Sequence, residues 1–361
     1  MPSQKSQSPK NDFADKIRAH AVELGFDLVG FSPVDISDEA YAQYEAWLDA
    51  HYEADMSYMS REDAVAKRRS AAELLPNAKS VVVLATNYYY DQPELPRDHG
   101  RIARYAYGRD YHKEIGGRLK KLEEFIKNET QSQTLSYVDT GPILERSLAV
   151  QAGLGFVGKN SCLITKEFGS WILLAEIITT IDLALEKNSN LGIRGGPLTV
   201  TCKSLRAEDS QPAKSSKLSC GTCTRCIDAC PTGAIKLDPK TKTYSIDSNL
   251  CLSYHTIENR AETLPEPITQ AIHKTKRIFG CDICQEVCPH NCRAKNSHTK
   301  NPTQPNAKTT PTPIAGPSLP LDKIVGPTVL TTDEEFTAMF AGSPIHRAKR
   351  KGLKRNAEAA R

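Results

Sequence analysis

Apolar positions Phe13, Ile17, Ala21 and Leu24 share one face of a helix predicted over 13–24, which Gly25 stops. Residues 26–31 then read as a strand. Tyr41, Tyr44, Trp47 and Leu48 stripe a helix over 38–52, and such a stripe serves a core more readily than a cofactor. The β-branched run 80–86 predicts a buried strand. A helix over 113–127 turns Leu119, Leu122 and Phe125 or Ile126 inward. A strand over 134–138, a helix over 143–152 and an apolar strand over 171–180 follow. This alternation predicts an α/β sandwich around a central sheet and leaves the strand order open.

The pattern then fades. Residues 183–219 are rich in Lys, Ser, Asn and Gly and read as a linker or insertion, with Cys202 a bystander inside it. A Pro/Thr-rich stretch covers 294–320. The expected units are a disordered tail (1–12), an α/β domain (13–182), the linker (183–219), a cysteine-rich domain (220–293), a second linker (294–320) and a basic C-terminal segment (321–361). No internal repeat is visible.

Composition narrows the class. Of 361 residues, 25% are charged and 39% hydrophobic, and the net charge is only +4. No stretch approaches the roughly 20 apolar residues of a membrane span. The N-terminus carries no signal-peptide core, so a cytoplasmic protein is expected.

The cysteines carry the chemistry. Cys220, Cys223, Cys226 and Cys230 before Pro231 form C-x2-C-x2-C-x3-C-P, the bacterial iron–sulfur run. Cys281, Cys284 and Cys288 before Pro289 form a second run. In that pattern the last Cys of each run crosses to the other cluster. Cys220, Cys223, Cys226 and Cys288 are therefore assigned to one 4Fe–4S cluster, and Cys230, Cys281 and Cys284 to another. The second set needs a fourth thiolate; counting favours Cys251, while Cys292 is a spare able to exchange roles with it. Disulfides suit a reducing compartment poorly. Zinc sites show separated ligand pairs rather than three Cys in seven residues.

Other constellations are less specific. Asp139 follows a predicted strand at its carboxyl end, where open α/β sheets bind ligands. That makes it a candidate general acid, though locally an N-cap near Pro142 is the favoured reading. Gly153, Gly155 and Gly158 spell G-x-G-x-x-G, but after a helix, so a cofactor-facing loop fits better than a dinucleotide site. Residues 101–112 are dense in polar and aromatic groups. They suit either the rim of a large polar cofactor or an exposed basic turn. Asp110-x-His112-x-x-x-Gly116 misses by one residue the pattern that supplies a His ligand to cobalamin, so His112 is not taken as a cobalt ligand.

Together these stretches resemble the epoxyqueuosine reductase family. The resemblance rests on residues 46–48, 56–61, 104–112, 138–139, 142–146, 152–160, 220–235, 251–258 and 280–291, with 342–345 near the end. It implies a cobalamin-binding α/β domain beside a ferredoxin-like double-cluster domain. The implied reaction reduces epoxyqueuosine to queuosine in tRNA, with electrons passing from an external donor through both clusters to cobalamin. It makes Asp139 the proton donor, with Arg146 orienting it or steadying charge, and it supports Cys251 as a ligand. It places cobalamin contacts at Arg61, Arg104, Tyr105, Asp139, Lys159, Asn160, Ser161, Leu163, Ser253 and Tyr254, with no protein His below the cobalt.

Departures from the family are the longer 183–219 and post-292 stretches, Cys at 292 where a basic residue is usual, and the lack of a helical-repeat extension. A basic tail remains. Arg347, Lys349, Arg350, Lys354 and Arg355 are candidate tRNA contacts, and a solvated frayed tail is the plainer reading. A monomer without membrane attachment is expected. The competing expectations are a cobalamin-dependent reductive dehalogenase, whose export signal is absent, and an electron-transfer protein without a corrin.

Overall fold

In a computed structural model, residues 9–89, 94–183, 219–292, 318–326 and 330–361 are described. Cys202, residues 1–8 and most of the two linkers lie outside them, while residues 9–12, expected in the disordered tail, begin a helix. A four-stranded sheet is built from β1 (Leu28–Ser32), β2 (Ser80–Asn87), β4 (Thr134–Tyr137) and β7 (Ile172–Thr179), in the order β1-β2-β7-β4. Every neighbouring pair is antiparallel. The rule for open α/β sheets invoked for Asp139 presupposes parallel strands, so it is not what places that residue here.

The continuous apolar run of β2 follows from cover on both faces. Val82 and Leu84 pack with Ile17, Ala21, Leu119, Leu122 and Ile126, which come from α1 (Pro9–Glu23) and α5 (Tyr111–Thr130). Val81, Val83 and Ala85 pack on the other face with Leu148 and Ala149 of α6 (Glu145–Gln151) and with Leu154. Side chains alternate along a strand, so a run of six buried positions needs two covered faces. Each fully buried Leu or Ile contributes roughly 1.5–3 kcal/mol. Asp110 caps α5, its Oδ1 accepting the His112 amide at 3.1 Å, which gives the residue a local role in place of a metal motif. Between β1 and β2 lie α2 (Asp38–Asp49), α3 (Ser57–Ser60) and α4 (Glu62–Arg69).

The near-dinucleotide glycines serve a hairpin. Strands β5 (Phe156–Val157) and β6 (Leu163–Ile164) pair antiparallel. A Cβ on Gly155 would sit 2.3 Å from the Ile164 carbonyl oxygen, and one on Gly158 would meet Ile164 Cδ1 at 2.5 Å. The glycines permit this close return of the chain.

The cysteine-rich part holds α7 (Arg225–Asp228), the hairpin β8 (Ile235–Leu237) and β9 (Tyr244–Ile246), α8 (Leu252–Ile257), α9 (Glu266–Thr275), β10 (Arg277–Phe279) and α10 (Ile283–Glu286). It is not separate from its neighbours. Strand β3 (His99–Ile102) runs parallel to β10 and antiparallel to β11 (Ser318–Pro320). One three-stranded sheet thus draws a strand from each of three units expected to be distinct in the chain.

The basic segment is not a frayed tail. After α11 (Asp322–Val325) and α12 (Asp333–Phe340), helix α13 (Lys349–Ala360) buries Leu353, Ala357 and Ala360 against Ile272, Ile278 and Phe279. Asn356, fully buried, donates to the carbonyls of Thr256 and Ile278, both at 3.0 Å. Among the described residues no helix is long and apolar enough to cross a membrane.

Candidate active site

The two cysteine runs fold back on each other. Cys288 lies in electrostatic range of Cys220, Cys223 and Cys226, so the crossover drawn from spacing is present in space. Cys251 lies in range of Cys230 and Cys284, and Cys281 in range of Cys284 and Cys251. The structure therefore gathers two four-thiol sets, with Cys251 in the second. Cys292 instead lines a cavity beside Cys288. Burial and mutual repulsion push Cys226, Cys251 and Cys288 up to about 11 and Cys281 to about 12. Thiolates in such a place need a compensating metal charge. All ten described cysteines are free, and among the described residues no three ligating side chains gather as one ion requires. Thiol quartets that converge without closing on a point fit a cubane rather than zinc.

Buried ion pairs hold the second run in place. The Arg104 backbone amide donates to Asp282 at 2.7 Å, and its guanidinium to Glu286 at 2.8 Å. That guanidinium lies over Trp171, 4.8 Å from the ring centroid. Arg277 reaches Glu286 at 2.6 Å. Arg104, expected to touch a cofactor, is placed as a buried brace of the cluster loop. Asn291 ties that loop to the sheet by donating to Ser170 Oγ at 2.9 Å.

The loop after Gly158 runs along both thiol sets. The Lys159 amide donates to Cys220 Sγ at 3.4 Å, and its ammonium to the carbonyls of Gly221 and Cys223, each at 3.0 Å. Cys162 sits against Cys284. Spacing analysis missed Cys162 because it stands outside both runs. Asn160 is 2% exposed, and its Nδ2 has no hydrogen-bond partner. Leu163 is buried in β6, and Ser161 adopts a left-handed φ of 58°.

Asp139 stands just past edge strand β4. The nearest helix begins at Glu145 with Leu144 as its N-cap, so the capping role is excluded. Its φ of 56° is left-handed, a conformation Asp tolerates better than most residues. Its amide donates to Glu145 Oε1 at 2.9 Å. Its Oδ2 accepts from the Tyr111 hydroxyl at 2.7 Å, and His112 Nε2 lies 4.0 Å away. Neither ring was singled out as a partner of Asp139 from the sequence. Burial and the Asp139 charge hold the Tyr111 hydroxyl far above its ordinary pKa, so it stays a donor. Tyr105 stacks edge-on to Tyr111 at 6.0 Å and is raised for the same two reasons. Arg146 does not orient Asp139: its guanidinium donates to the Ser161 carbonyl and ties α6 to the Lys159 loop.

The Asp139 carboxylate is 63% exposed, and the face around it is open. Tyr58, 41% exposed, senses both Asp139 and the Glu258–Arg347 pair, whose ions are 2.9 Å apart. Arg61 projects from the same segment as Tyr58, pairing with Asp63 at 3.2 Å. Tyr254 donates to Asp55 at 2.9 Å, and Ser253 is half-buried beside Cys251. An orphaned amide at Asn160 beside an open polar face fits a large polar cofactor. A cavity of about 860 Å³ lies elsewhere, lined by Trp171, Arg104, Arg225, Cys288 and Cys292 without Asp139. Tyr111 and His112 meet the Asp139 carboxyl while Glu145 holds its backbone amide, away from that cavity.

Of the basic candidates, Arg355 donates to the carbonyls of His255, Asn259 and Ala261, so it is committed to the interior. Arg350 pairs with Asp333 at 2.7 Å. Lys349 is exposed and Lys354 half-buried.

Comparison with known proteins agrees with this geometry. Residues 68–140 match the family described as epoxyqueuosine reductase QueG, DUF1730, and residues 219–291 match the 4Fe-4S double cluster binding domain. The chain is 38% identical to an epoxyqueuosine reductase of Gloeobacter violaceus, over 96% of this chain and 95% of that one. It is 38% identical to one of Synechocystis sp., over 92% and 99%. A crystal structure of epoxyqueuosine reductase with an epoxyqueuosine-modified tRNA-Tyr stem loop superposes with a TM-score of 0.74 at 27% identity, over 97% of this chain and 81% of that one. A Bacillus subtilis structure, described as having its catalytic aspartate loop swung out of the active site, gives 0.73 at 27% identity, with the same coverage.

Proposed function

The chain belongs to the epoxyqueuosine reductase family and is an oxidoreductase, and on that premise we propose how its residues reduce epoxyqueuosine to queuosine in tRNA. Cys220, Cys223, Cys226 and Cys288 would hold one 4Fe–4S cluster, and Cys230, Cys251, Cys281 and Cys284 the other. Cobalamin would lie on the open face near Asp139, with Asn160, Ser161, Arg61 and Ser253 as its nearest polar neighbours. When bound, the clusters supply single electrons from an external donor, and cobalamin supplies the low-valent metal that reduces the epoxide.

The chain's own part is to position groups and move protons. Asp139 delivers a proton to the departing epoxide oxygen. Tyr111 fixes the rotamer of its carboxyl, and Glu145 holds its backbone in the left-handed turn. Arg104, with Asp282 and Glu286, keeps the second cluster loop rigid, which preserves the electron-transfer distance. Arg347 and Lys349 offer charge to tRNA phosphates at the rim. Arg355, turned inward, supports the helix instead.

The observation that carries this reading is an exposed carboxyl held by Tyr111 on a fold that gathers two four-thiol sets. Asp139→Asn tests it. Anaerobically reconstituted variant should retain both clusters and cobalamin yet leave epoxyqueuosine unreduced, as read by mass analysis of digested tRNA. Normal turnover by that variant would discard Asp139 as the donor.

A further inference from the structure

Turning an epoxide into an alkene consumes two electrons and two protons: both carbon–oxygen bonds break and the oxygen leaves as water. Asp139 accounts for one proton. The molecule carries an unassigned acidic pair behind it. Glu176 stands in the middle of β7, opposite Val83 on one side and Tyr137 on the other, and is 0% exposed. Apart from the Glu145 carboxyl, no N–H or O–H donor reaches either of its carboxyl oxygens among the described residues. What faces it is the carboxyl of Glu145, reaching down from the first turn of α6. Two carboxylates cannot face each other in an apolar sheet–helix layer unless one carries a proton. The outer member, Glu145, also accepts the Asp139 amide at 2.9 Å.

We propose that the Glu145–Glu176 pair stores the second proton of the reaction and returns it to Asp139 after the first has been spent. The proposal rests on the family reading above, which supplies the substrate and the electrons. Asp139 loses its proton as the first carbon–oxygen bond breaks. Glu145, protonated beside a protonated Glu176 before turnover, reprotonates it across the loop–helix junction, so the pair is left with one proton and one negative charge. Asp139 then protonates the leaving oxygen as the second bond breaks. Burial and the Asp139 charge hold Glu145 up to about 7, and burial raises Glu176 as well, so the transferable proton is present below about pH 7. The groups around it are Arg146 on α6, Tyr137 on β4, Asp139 after it and Tyr111 on α5. Only Arg146 among them is cationic, and its guanidinium is held by the Ser161 carbonyl.

The test uses cluster- and cobalamin-loaded enzyme and two variants, Glu176→Gln and Glu145→Gln, each certified by iron content and corrin absorbance. Infrared difference spectra between pH 6 and pH 8.5 read the protonated carboxyl directly, without turnover. Wild type should show one buried carboxyl band, and Glu176→Gln should lose it, whereas Glu176→Asp should restore it. Single turnover of an epoxyqueuosine-modified stem loop by pre-reduced enzyme should slow at least tenfold in Glu176→Gln, with a larger solvent isotope effect and unchanged stem-loop affinity. If Glu176→Gln does not fold, Glu145→Gln takes its place, its amide oxygen still accepting from Asp139. Absence of the band in wild type, or wild-type rate and isotope effect in a folded variant, would overturn the proton store. If loaded wild type binds the stem loop yet leaves it unreduced, the family reading fails instead, and the infrared arm still decides the pair.

Discussion

Asn356→Leu probes whether the basic C-terminal helix is part of the core or an appendage. The side chain is fully buried. Its Nδ2 donates to the carbonyls of Thr256 and Ile278, and its Oδ1 accepts from Arg355. Leucine keeps the same branched heavy-atom skeleton, so no cavity forms, and the lost hydrogen bonds dominate. Two carbonyls left without donors in a dry interior cost about 1–3 kcal/mol each. The added apolar burial returns about 1 kcal/mol. The net loss is therefore about 1–5 kcal/mol. Leu353→Ala on the same helix, also fully buried, should cost about 3–5 kcal/mol through its cavity. Thr256 follows the proposed ligand Cys251 by five residues and Ile278 precedes Cys281 by three, so loosening them should also release iron from the second proposed cluster. Anaerobic urea titration, followed in parallel by far-UV dichroism and cluster absorbance, reads both effects. An Asn356→Leu midpoint equal to wild type, with Leu353→Ala equally silent, would show that the helix is peripheral.

Further outcomes follow from the same geometry. Glu145 holds its proton to about 7 in the folded chain, against an ordinary 4.5. The folded state therefore binds the extra proton between those values; the stability is present below 4.5 and lost as pH rises through 7. The interval corresponds to roughly 3 kcal/mol. Melting temperature should fall from pH 5 to pH 8 in wild type and stay flatter in Glu176→Gln; equal slopes would contradict the shared proton. Cys251→Ser should lose the second cluster's iron and electron paramagnetic signal, whereas Cys292→Ser should keep both, and the reverse result would exchange their roles. Lys349→Ala should weaken stem-loop binding and reduce the salt dependence of the affinity by about one ion. An unchanged slope would remove Lys349 from the interface.

How much could be read before folding depends on distance along the chain. Helix and strand positions follow local periodicity, and the strands expected over 80–86 and 171–180 appear as Ser80–Asn87 and Ile172–Thr179. The cysteine runs proposed to hold clusters were legible because a cubane demands thiols a few residues apart, and the crossover rule anticipated Cys288 beside Cys220, Cys223 and Cys226. Tertiary structure decided the rest. Arg104 was expected at a cofactor rim or in an exposed turn, and folding set it against Asp282 and Glu286, 178 and 182 residues away. The basic tail looked solvated because its charges outnumber Leu353, Ala357 and Ala360, the small or apolar side chains of α13 that anchor it. Glu176 sits in an apolar strand, and sequence does not say which acid will face another. Asp139 gains Tyr111 only when α5 and β4 pack together. Periodicity and thiol spacing are properties of neighbouring residues, whereas the environment of a charge is set by whichever distant atoms the fold brings beside it.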